Sequence, residues 1–447
     1  MPGKSWKLVL LTVLVGITVS TTSIIYGLAM IPYFIVLIPL AIVLVGYPEV
    51  FLTLFVFAGI FKSYPDLSLP FNLDWTATMG IVAVSFMVLR AALVKKKVRT
   101  AITRTDVFLV GLVLVLAFGI LYSQARGYGI QRVLELLFLG VLASYFLPRI
   151  IAGFSSPTKM VRNILLTIVA LAGITTLFTF LGLGTGNRAF ASSYLSWSYF
   201  LGVAMLSGLT LWELSSNRLV KSFIAILIPL FLVAMIMAKA RGPLISLTAI
   251  GILLLFWKGW LSVRRKLWLA ASTLVVLGVL FIALPHDSWS RYELLFAEQK
   301  GSSVEARIDA YKFAGQLFLE HPLLGVGTGG FRTSSGSRES PYHLPYAHNA
   351  FLEVAAENGL LGLFFYVGFL MSLFLFARSI LKDVKTVKIL KELTFGCLLV
   401  FIFLFVGTQF SGAIIGRDGL LFAGLIVLLG TEARQHNKQK REGHEGK

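Results

Sequence analysis

The chain has 447 residues, of which 57% are hydrophobic and only 14% are charged. Soluble globular proteins carry about 25% charged residues, so this composition excludes that class and indicates an integral membrane protein. The formal net charge of +19 would also suit a nucleic-acid-binding protein, but most Lys and Arg residues fall in alternate loops, as the positive-inside rule requires. We therefore expect a lipid bilayer, and no nucleic acid, as partner.

About fourteen apolar segments approach the roughly 20 residues that a membrane-spanning helix needs. They are predicted at residues 8–28, 30–46, 48–62, 74–93, 106–123, 130–147, 161–183, 192–213, 220–238, 241–257, 267–284, 348–377, 392–412 and 417–431. The second, third and last are short. The predicted fold is therefore an all-α integral membrane protein with about 12–14 transmembrane helices.

The basic loops predict the orientation of the chain. If they are cytoplasmic, both termini lie in the cytoplasm and the other loops face outward. The first apolar segment follows a short basic region, but no small-residue cleavage site precedes the second segment, so we expect the first to stay as a span. The single cysteine, Cys397, falls inside a predicted span, which excludes an intrachain disulfide and a thiolate metal site.

The predicted spans divide the chain into four parts. Residues 1–284 form a transmembrane bundle of about 11 spans, residues 285–347 an external loop region, residues 348–431 the C-terminal transmembrane helices and residues 432–447 a charged cytoplasmic tail. The first six spans are interpreted as scaffold. In the external region, Val304, Ile308, Tyr311, Gly315 and Phe318 recur at helical spacing, which predicts an amphipathic helix between Val304 and Glu320 that lies flat on the membrane or roofs a cavity.

Four basic side chains lie at predicted outward-facing positions. Arg188 is in a short external loop, where it contacts a diphosphate or anchors a helix end. Lys239 and Arg241 interrupt an apolar run, and Arg241 is interpreted as a contact for an anionic donor, with a structural ion pair as the alternative. Arg307 lies beside the apolar face of the amphipathic helix, as a second anion contact or as a solvated charge.

Two histidines, His343 and His348, stand in the polar segment that precedes the helix predicted from residue 348. We place His348 in the first helical turn, where the helix dipole disfavours protonation and leaves a neutral base; a capping or core role is the alternative. Asn349, Glu353 and Glu357 share one helix face from which His348 is offset. The histidines lack metal-ligand spacing and the chain has no DxD motif, so we expect no metal and no cofactor.

Three blocks of this chain resemble a known family. HPLLGVGTGGF (residues 321–331) followed by HNAFLEVAAENGLLG (residues 348–362), together with AKARGPLIS (residues 238–246) and EARIDAYKFAGQLFLEHP (residues 305–322), are similar to the signature of the O-antigen ligase and O-antigen polymerase superfamily. These blocks cover about a third of the chain, in the order in which the family has them. The resemblance implies a GT-C-like polytopic glycosyltransferase of the bacterial inner membrane, with its active site in the periplasm.

The same resemblance implies the reaction. The donor would be an undecaprenyl-diphosphate-linked glycan, attacked in one inverting step by a sugar hydroxyl of lipid A-core or of a second lipid-linked glycan. His348 would be the base, Arg241 and Arg307 would stabilise the leaving diphosphate, and further substrate contacts are predicted at Arg188, Lys239, His343, Asn349 and Glu353. We favour an O-antigen ligase, with a polymerase as the alternative. A transporter for anionic lipids is disfavoured because no repeated halves are visible.

Overall fold

The computed structural model describes residues 47–60, 102–152, 156–182, 193–256, 302–336, 346–383, 386–410 and 414–445, with the single residues 80, 85 and 278. All of its regular elements are helical, which confirms the predicted all-α class. The helices are α1 (Pro48–Val56), α2 (Arg104–Gly119), α3 (Arg126–Ala152, π-helical over Glu135–Phe146), α4 (Pro157–Phe180), α5 (Tyr194–Leu214), α6 (Arg218–Met237), α7 (Arg241–Phe256), α8 (Ser302–Glu320), α9 (Gly330–Gly336), α10 (Ala350–Lys382), α11 (Lys388–Thr408) and α12 (Arg417–Glu445).

Within the described residues, six helices are long and apolar enough to cross a membrane: α3, α4, α5, α6, α10 and α11. Their bounds agree with the predicted spans to within a few residues. Helix α12 differs, because it continues from the last predicted span to Glu445 without a break at residue 431. The predicted spans at 8–28, 30–46 and 267–284 lie outside the described helices, and only residues 80 and 85 of the span at 74–93 are described.

The helices pack around a large apolar core. Helix α10 packs on α2, α12 packs on α3 and α11, and α5 packs on α4, α6 and α11. Trp197, Phe403 and Phe422 are fully buried in this core. The helix starts follow local sequence signals: Thr103 and Asp106 form a capping box at α2, and Pro157 opens α4, since proline suits the first helical turn.

The amphipathic helix predicted between Val304 and Glu320 is confirmed as α8, but its buried face was predicted wrongly. Ala310, Ala314 and Leu317 are buried, one strip away from the predicted line of larger side chains. The alanines allow α8 to approach α10 closely, whereas the helix would need bulky apolar groups to insert into lipid. Of the two predicted roles of α8, packing as a roof over the transmembrane helices is therefore favoured over lying flat on the membrane.

Helix α10 is broken at Gly359. This residue has φ 60° and ψ −154°, a conformation that is open essentially only to glycine. A β-carbon at this position would overlap the backbone of Leu323. Gly359 therefore allows α10 to be interrupted and also allows the turn that follows α8 to approach it closely.

The turn at residues 321–327 satisfies the backbone groups that the break leaves unpaired. Four hydrogen bonds join the two segments: Val326 N to Ala356 O at 3.0 Å, Gly327 N to Glu357 O at 2.9 Å, Leu360 N to Pro322 O at 2.8 Å, and Leu361 N to Leu323 O at 3.3 Å. A broken helix is tolerated at membrane depth only where protein supplies such partners. The glycine-rich turn therefore packs into the break of α10 and satisfies its backbone groups, in the part of α10 that follows the predicted catalytic histidine.

Candidate functional site

The predicted site residues come from helix ends that meet on one side of the bundle. Arg241 is the first residue of α7, and a β-carbon on the following Gly242 would lie 2.8 Å from Tyr199 Oη and 3.9 Å from Phe410 Cβ. Tyr199 Oη donates a hydrogen bond to the carbonyl oxygen of Gly407, at 3.3 Å, near the end of α11. The start of α7, the start of α5 and the end of α11 therefore lie side by side and form one wall of the candidate site.

His348 joins this wall. It lies one residue before Asn349, the N-cap of α10, so its placement in the first helical turn was wrong. Its imidazole forms a hydrogen bond with the backbone of Phe410, and its ring centroid is 4.3 Å from that of Tyr346. The ring nitrogen Nδ1 is buried without a hydrogen-bond partner. The carbonyl oxygen of Phe410 can only accept a hydrogen bond, so Nε2 of His348 carries the hydrogen. The lone pair of Nδ1 therefore has no hydrogen-bond partner.

The pKa of His348 is lowered to about 4, first by burial and then by the positive charge of Arg307. Both effects disfavour the imidazolium form. The neutral imidazole that the sequence predicts therefore has a different cause from the helix dipole. At neutral pH His348 is therefore an uncharged imidazole with a lone pair on Nδ1, which is the protonation state that a general base needs.

We predict that kcat/KM falls on the acid side with a midpoint near pH 4, rather than near the ordinary histidine pKa of about 6.5. The reason is that the pH dependence of kcat/KM reports ionisations of the free enzyme, in which the pKa of His348 is about 4. Above that pH the imidazole is neutral and activity is flat; below it, protonation removes the base. The measurement is a pH profile of the purified enzyme, with samples held at each pH and assayed again at neutral pH to correct for unfolding. A limb near pH 6.5 would contradict the burial of a neutral His348.

Arg307 and Tyr311 bring α8 to the same place. The charge of Arg307 acts on His348, Tyr199 and Tyr311. Tyr311 Oη lies 3.5 Å from the carbonyl oxygen of His348 and 3.4 Å from that of Gln409. Arg307 therefore lies close to His348. The start of α7, at Arg241 and Gly242, borders the same Tyr199 and Phe410, although α7, α8 and α10 are far apart in the sequence.

Backbone strain coincides with the site. Among the described residues, the non-glycine residues with positive φ are Lys239 at 57° and His348 at 54°. Lys239 forms the tight link between α6 and α7, and its N–H donates to Ile236 O at 2.9 Å. Positive φ costs a non-glycine residue about 1 kcal/mol or more and concentrates at functional sites.

Asn349 and Glu353 have clear structural partners. The Asn349 side chain caps α10 by accepting from Leu352 N at 3.1 Å. Glu353 is fully buried and pairs with Arg132 of α3, whose Nη1 is also 3.5 Å from Glu357 Oε2. The backbone N–H groups of Gly329 and Phe331 donate hydrogen bonds to the carboxylate of Glu357. These amides of the glycine-rich segment therefore bind a side chain of the protein itself. Substrate contacts of Asn349 and Glu353 stay a prediction.

Arg132 is the residue that sequence reasoning missed. It lies inside the predicted span 130–147, which we interpreted as scaffold, and its ion pairs with Glu353 and Glu357 join α3 to α10. A lone charge within an apolar span marks a buried partner, and this signal was present. Its partners Glu353 and Glu357 could not be found in the same way, because they lie more than 220 residues further along the chain.

Two cavities border this centre. The first, of ≈ 320 Å³, is lined mainly by apolar residues, including Phe57, Phe200 and Phe405, with Tyr199 and Arg417. The second, of ≈ 500 Å³, is lined by a larger polar set. Ile414, Ile415 and Arg417 line both cavities, and Arg417 Nε donates to Val56 O at 2.7 Å. Arg417, to which the sequence assigned no role, therefore stands between them.

Two predicted contacts, Arg188 and His343, lie outside the described residues. In the part of the chain that the structure describes, no group of three His, Cys, Asp or Glu side chains could hold a metal ion. The positively charged side chains near the described site are Arg241, Arg307 and Lys239.

The comparisons agree with the geometry. A family model described as O-antigen ligase matches residues 224–367, about a third of the chain, from the first half of α6 to the middle of α10. No curated protein matches the chain. The matched segment contains Lys239, Arg241, Arg307 and His348. Of these, Arg307 and His348 lie close together beside Tyr199 and Phe410. Over this segment the chain is therefore similar to the O-antigen ligase family.

Proposed function

We propose that this protein is a metal-independent, inverting glycosyltransferase that moves a glycan from undecaprenyl diphosphate to a sugar hydroxyl of lipid A-core. The observation that carries the proposal is His348, a neutral imidazole with an unpaired Nδ1, next to Arg307 and close to the start of α7 at Arg241. A base beside permanent cations suits deprotonation of an alcohol and departure of a diphosphate.

In this reaction the acceptor hydroxyl oxygen attacks the anomeric carbon of the donor glycan. The new C–O bond forms as the bond from the anomeric carbon to the diphosphate oxygen breaks, and its electron pair leaves with the diphosphate. Nδ1 of His348 takes the hydroxyl proton. Because Nδ1 is buried, the hydroxyl reaches it only after a neighbouring side chain, such as Tyr346, moves aside.

The leaving diphosphate needs positive charge where its own charge develops. Arg241 and Arg307 supply planar, permanently charged donors that pair with phosphate in bidentate fashion. Arg241 also stands at the N-terminus of α7, where the helix dipole adds a partial positive charge. Lys239, two residues earlier, adds another cation near the same helix end.

The lipid part of the donor suits the first cavity. Its ≈ 320 Å³ are lined largely by Phe and Leu side chains from α5, α10 and α11, and its polar members are Ser196, Tyr199, Thr408, Arg417 and Asp418. An isoprenoid chain would bury apolar surface there. Tyr199 lies within the field of Arg307, so a lipid in this cavity would carry its diphosphate toward the two arginines.

The orientation of the helices supports a periplasmic site. The helix ends opposite the site carry basic residues: Arg104, Lys159, Arg218, Lys382, Lys388 and Lys391. Basic ends favour the cytoplasm, so the site would face the periplasm of a bacterial inner membrane, with both termini in the cytoplasm. A polymerase that joins lipid-linked repeat units would use the same base and arginines and differs only in its acceptor.

A gel of surface lipopolysaccharide from a strain lacking the gene tests the acceptor. We expect bare core without attached repeats, and lipid-linked polymer retained in the cell, because the last transfer would be missing. Complementation with the intact gene should restore the ladder. Core carrying a single repeat would identify a polymerase instead, and an unchanged ladder would contradict lipid A-core as acceptor.

A further inference from the structure

We propose that the second cavity is the acceptor site and that it holds an uncharged sugar of the acceptor glycan beside the catalytic histidine. This inference rests on the proposed function and adds the place and chemistry of its acceptor. The cavity has ≈ 500 Å³, a volume within the range of small-ligand sites. Its polar lining residues are Tyr128, Gln131, Arg132, Glu135, Thr328 and Tyr346, with Arg417 at the boundary to the first cavity.

The cavity adjoins the reacting centre through Tyr346. This side chain lines the cavity, and its ring centroid is 4.3 Å from that of His348. The first cavity reaches the same centre from another side through Tyr199. A hydroxyl-bearing sugar in the second cavity and a lipid diphosphate in the first would therefore meet at the imidazole.

The charges around the second cavity do not favour an anion, because Arg132 and Arg417 are opposed by Glu135 in the lining and by Glu353 and Glu357 behind it. Arg132 carries a single positive charge but is paired with two carboxylates, Glu353 and Glu357, which are buried behind it. A diphosphate there would face those carboxylates and gain little from Arg132. The first cavity has a single carboxylate in its lining, Asp418, next to Arg417. Because its Tyr199 also lies in the field of Arg307, it offers the better place for an anion.

The polar groups match the hydroxyls of a sugar, which donate and accept hydrogen bonds at the same time. Gln131 and Arg132 supply donors, and Glu135 supplies an acceptor; Gln131 Nε2 lies 2.8 Å from Glu135 Oε1. Tyr128 adds an aromatic side chain that Arg132 and Arg332 hold in place, at 5.6 Å and 5.0 Å from its ring centroid. Planar polar groups beside aromatic rings are suited to the mixed polar and apolar faces of a pyranose.

Site-specific thiol labelling tests this assignment. The natural Cys397 is buried, whereas Gln131 is exposed in the cavity wall, so Gln131→Cys introduces an accessible thiol. Gln124→Cys is the matched control, because Gln124 is exposed in the turn before the same span and does not line the cavity. The purified variants are labelled with a maleimide in the presence of lipid A-core, undecaprenyl diphosphate or the lipid-linked repeat unit, and transfer is assayed in parallel.

We expect lipid A-core at ten times its half-saturating concentration to slow labelling of Gln131→Cys by about tenfold, and to leave Gln124→Cys unchanged. Undecaprenyl diphosphate should protect neither variant. Protection of Gln131→Cys by undecaprenyl diphosphate or by the lipid-linked repeat unit alone, or no protection while transfer proceeds, would overturn the acceptor site. An enzyme that transfers no glycan to any acceptor would instead overturn the proposed function.

Discussion

His348→Ala is expected to lower the rate of glycan transfer by about 10²–10⁴-fold, the usual contribution of a general base, and to leave donor binding close to that of the wild type. The reason is that Nδ1 of His348 acts on the acceptor hydroxyl, while the diphosphate is held by other groups. Rates and donor affinity would be measured on purified protein. Arg241→Ala and Arg307→Ala should instead weaken donor binding as well, because they remove charge from the diphosphate site.

His321→Ala is the matched control for this experiment, since His321 is an exposed histidine at the end of α8. It should transfer at the wild-type rate. Near-normal transfer by His348→Ala would remove the histidine from catalysis. An equal loss in His348→Ala and His321→Ala would point to a general effect on folding.

Gly359→Ala is expected to destabilise the protein by about 3 kcal/mol or more, which is the upper range for forcing a side chain into a strained backbone region. An alanine there would adopt φ 60° and ψ −154° and overlap the backbone of Leu323. The pairing between the break in α10 and the turn at residues 321–327 would then be lost. Thermal unfolding of the detergent-solubilised variant, followed by size-exclusion chromatography, measures the effect.

Gly315→Ala provides the matched control for Gly359→Ala. Gly315 lies within α8, and a β-carbon there would meet nothing within 4 Å. Alanine is a better helix former than glycine by about 1 kcal/mol, so this variant should be as stable as the wild type or slightly more stable. A Gly359→Ala protein that unfolds at the same temperature as Gly315→Ala would contradict the role of the break.

The parts of this structure that the sequence predicts are those with local causes. Apolar runs of spanning length predicted the helices, because each span must satisfy its own backbone hydrogen bonds in lipid. Charges in apolar surroundings pointed to Arg241, and the family resemblance joined it to Arg307 and His348. The structure brings Arg307 and His348 together and places the start of α7 beside the same Tyr199 and Phe410, although nothing in the spacing of these residues required it.

The parts that were missed depend on distant partners. The pairing of Arg132 with Glu353 joins α3 to α10, and no local pattern records it. The break at Gly359 has an ordinary helical sequence on both sides, and only the turn at residues 321–327 explains it. The buried face of α8 was misplaced because small alanines, which carry little hydrophobic signal, make the closest helix contact. His348 lies before the helix because Asn349 is the better N-cap.

The central claim is that arginines and a neutral histidine transfer a glycan from a lipid diphosphate without a metal ion. The most direct measurement is transfer of a labelled glycan by the purified protein, from its undecaprenyl diphosphate carrier to lipid A-core, with and without excess EDTA. We expect the same rate in both, because permanent guanidinium charges replace the cation that would otherwise stabilise the diphosphate. Loss of transfer in EDTA, restored by adding a divalent cation, would contradict it.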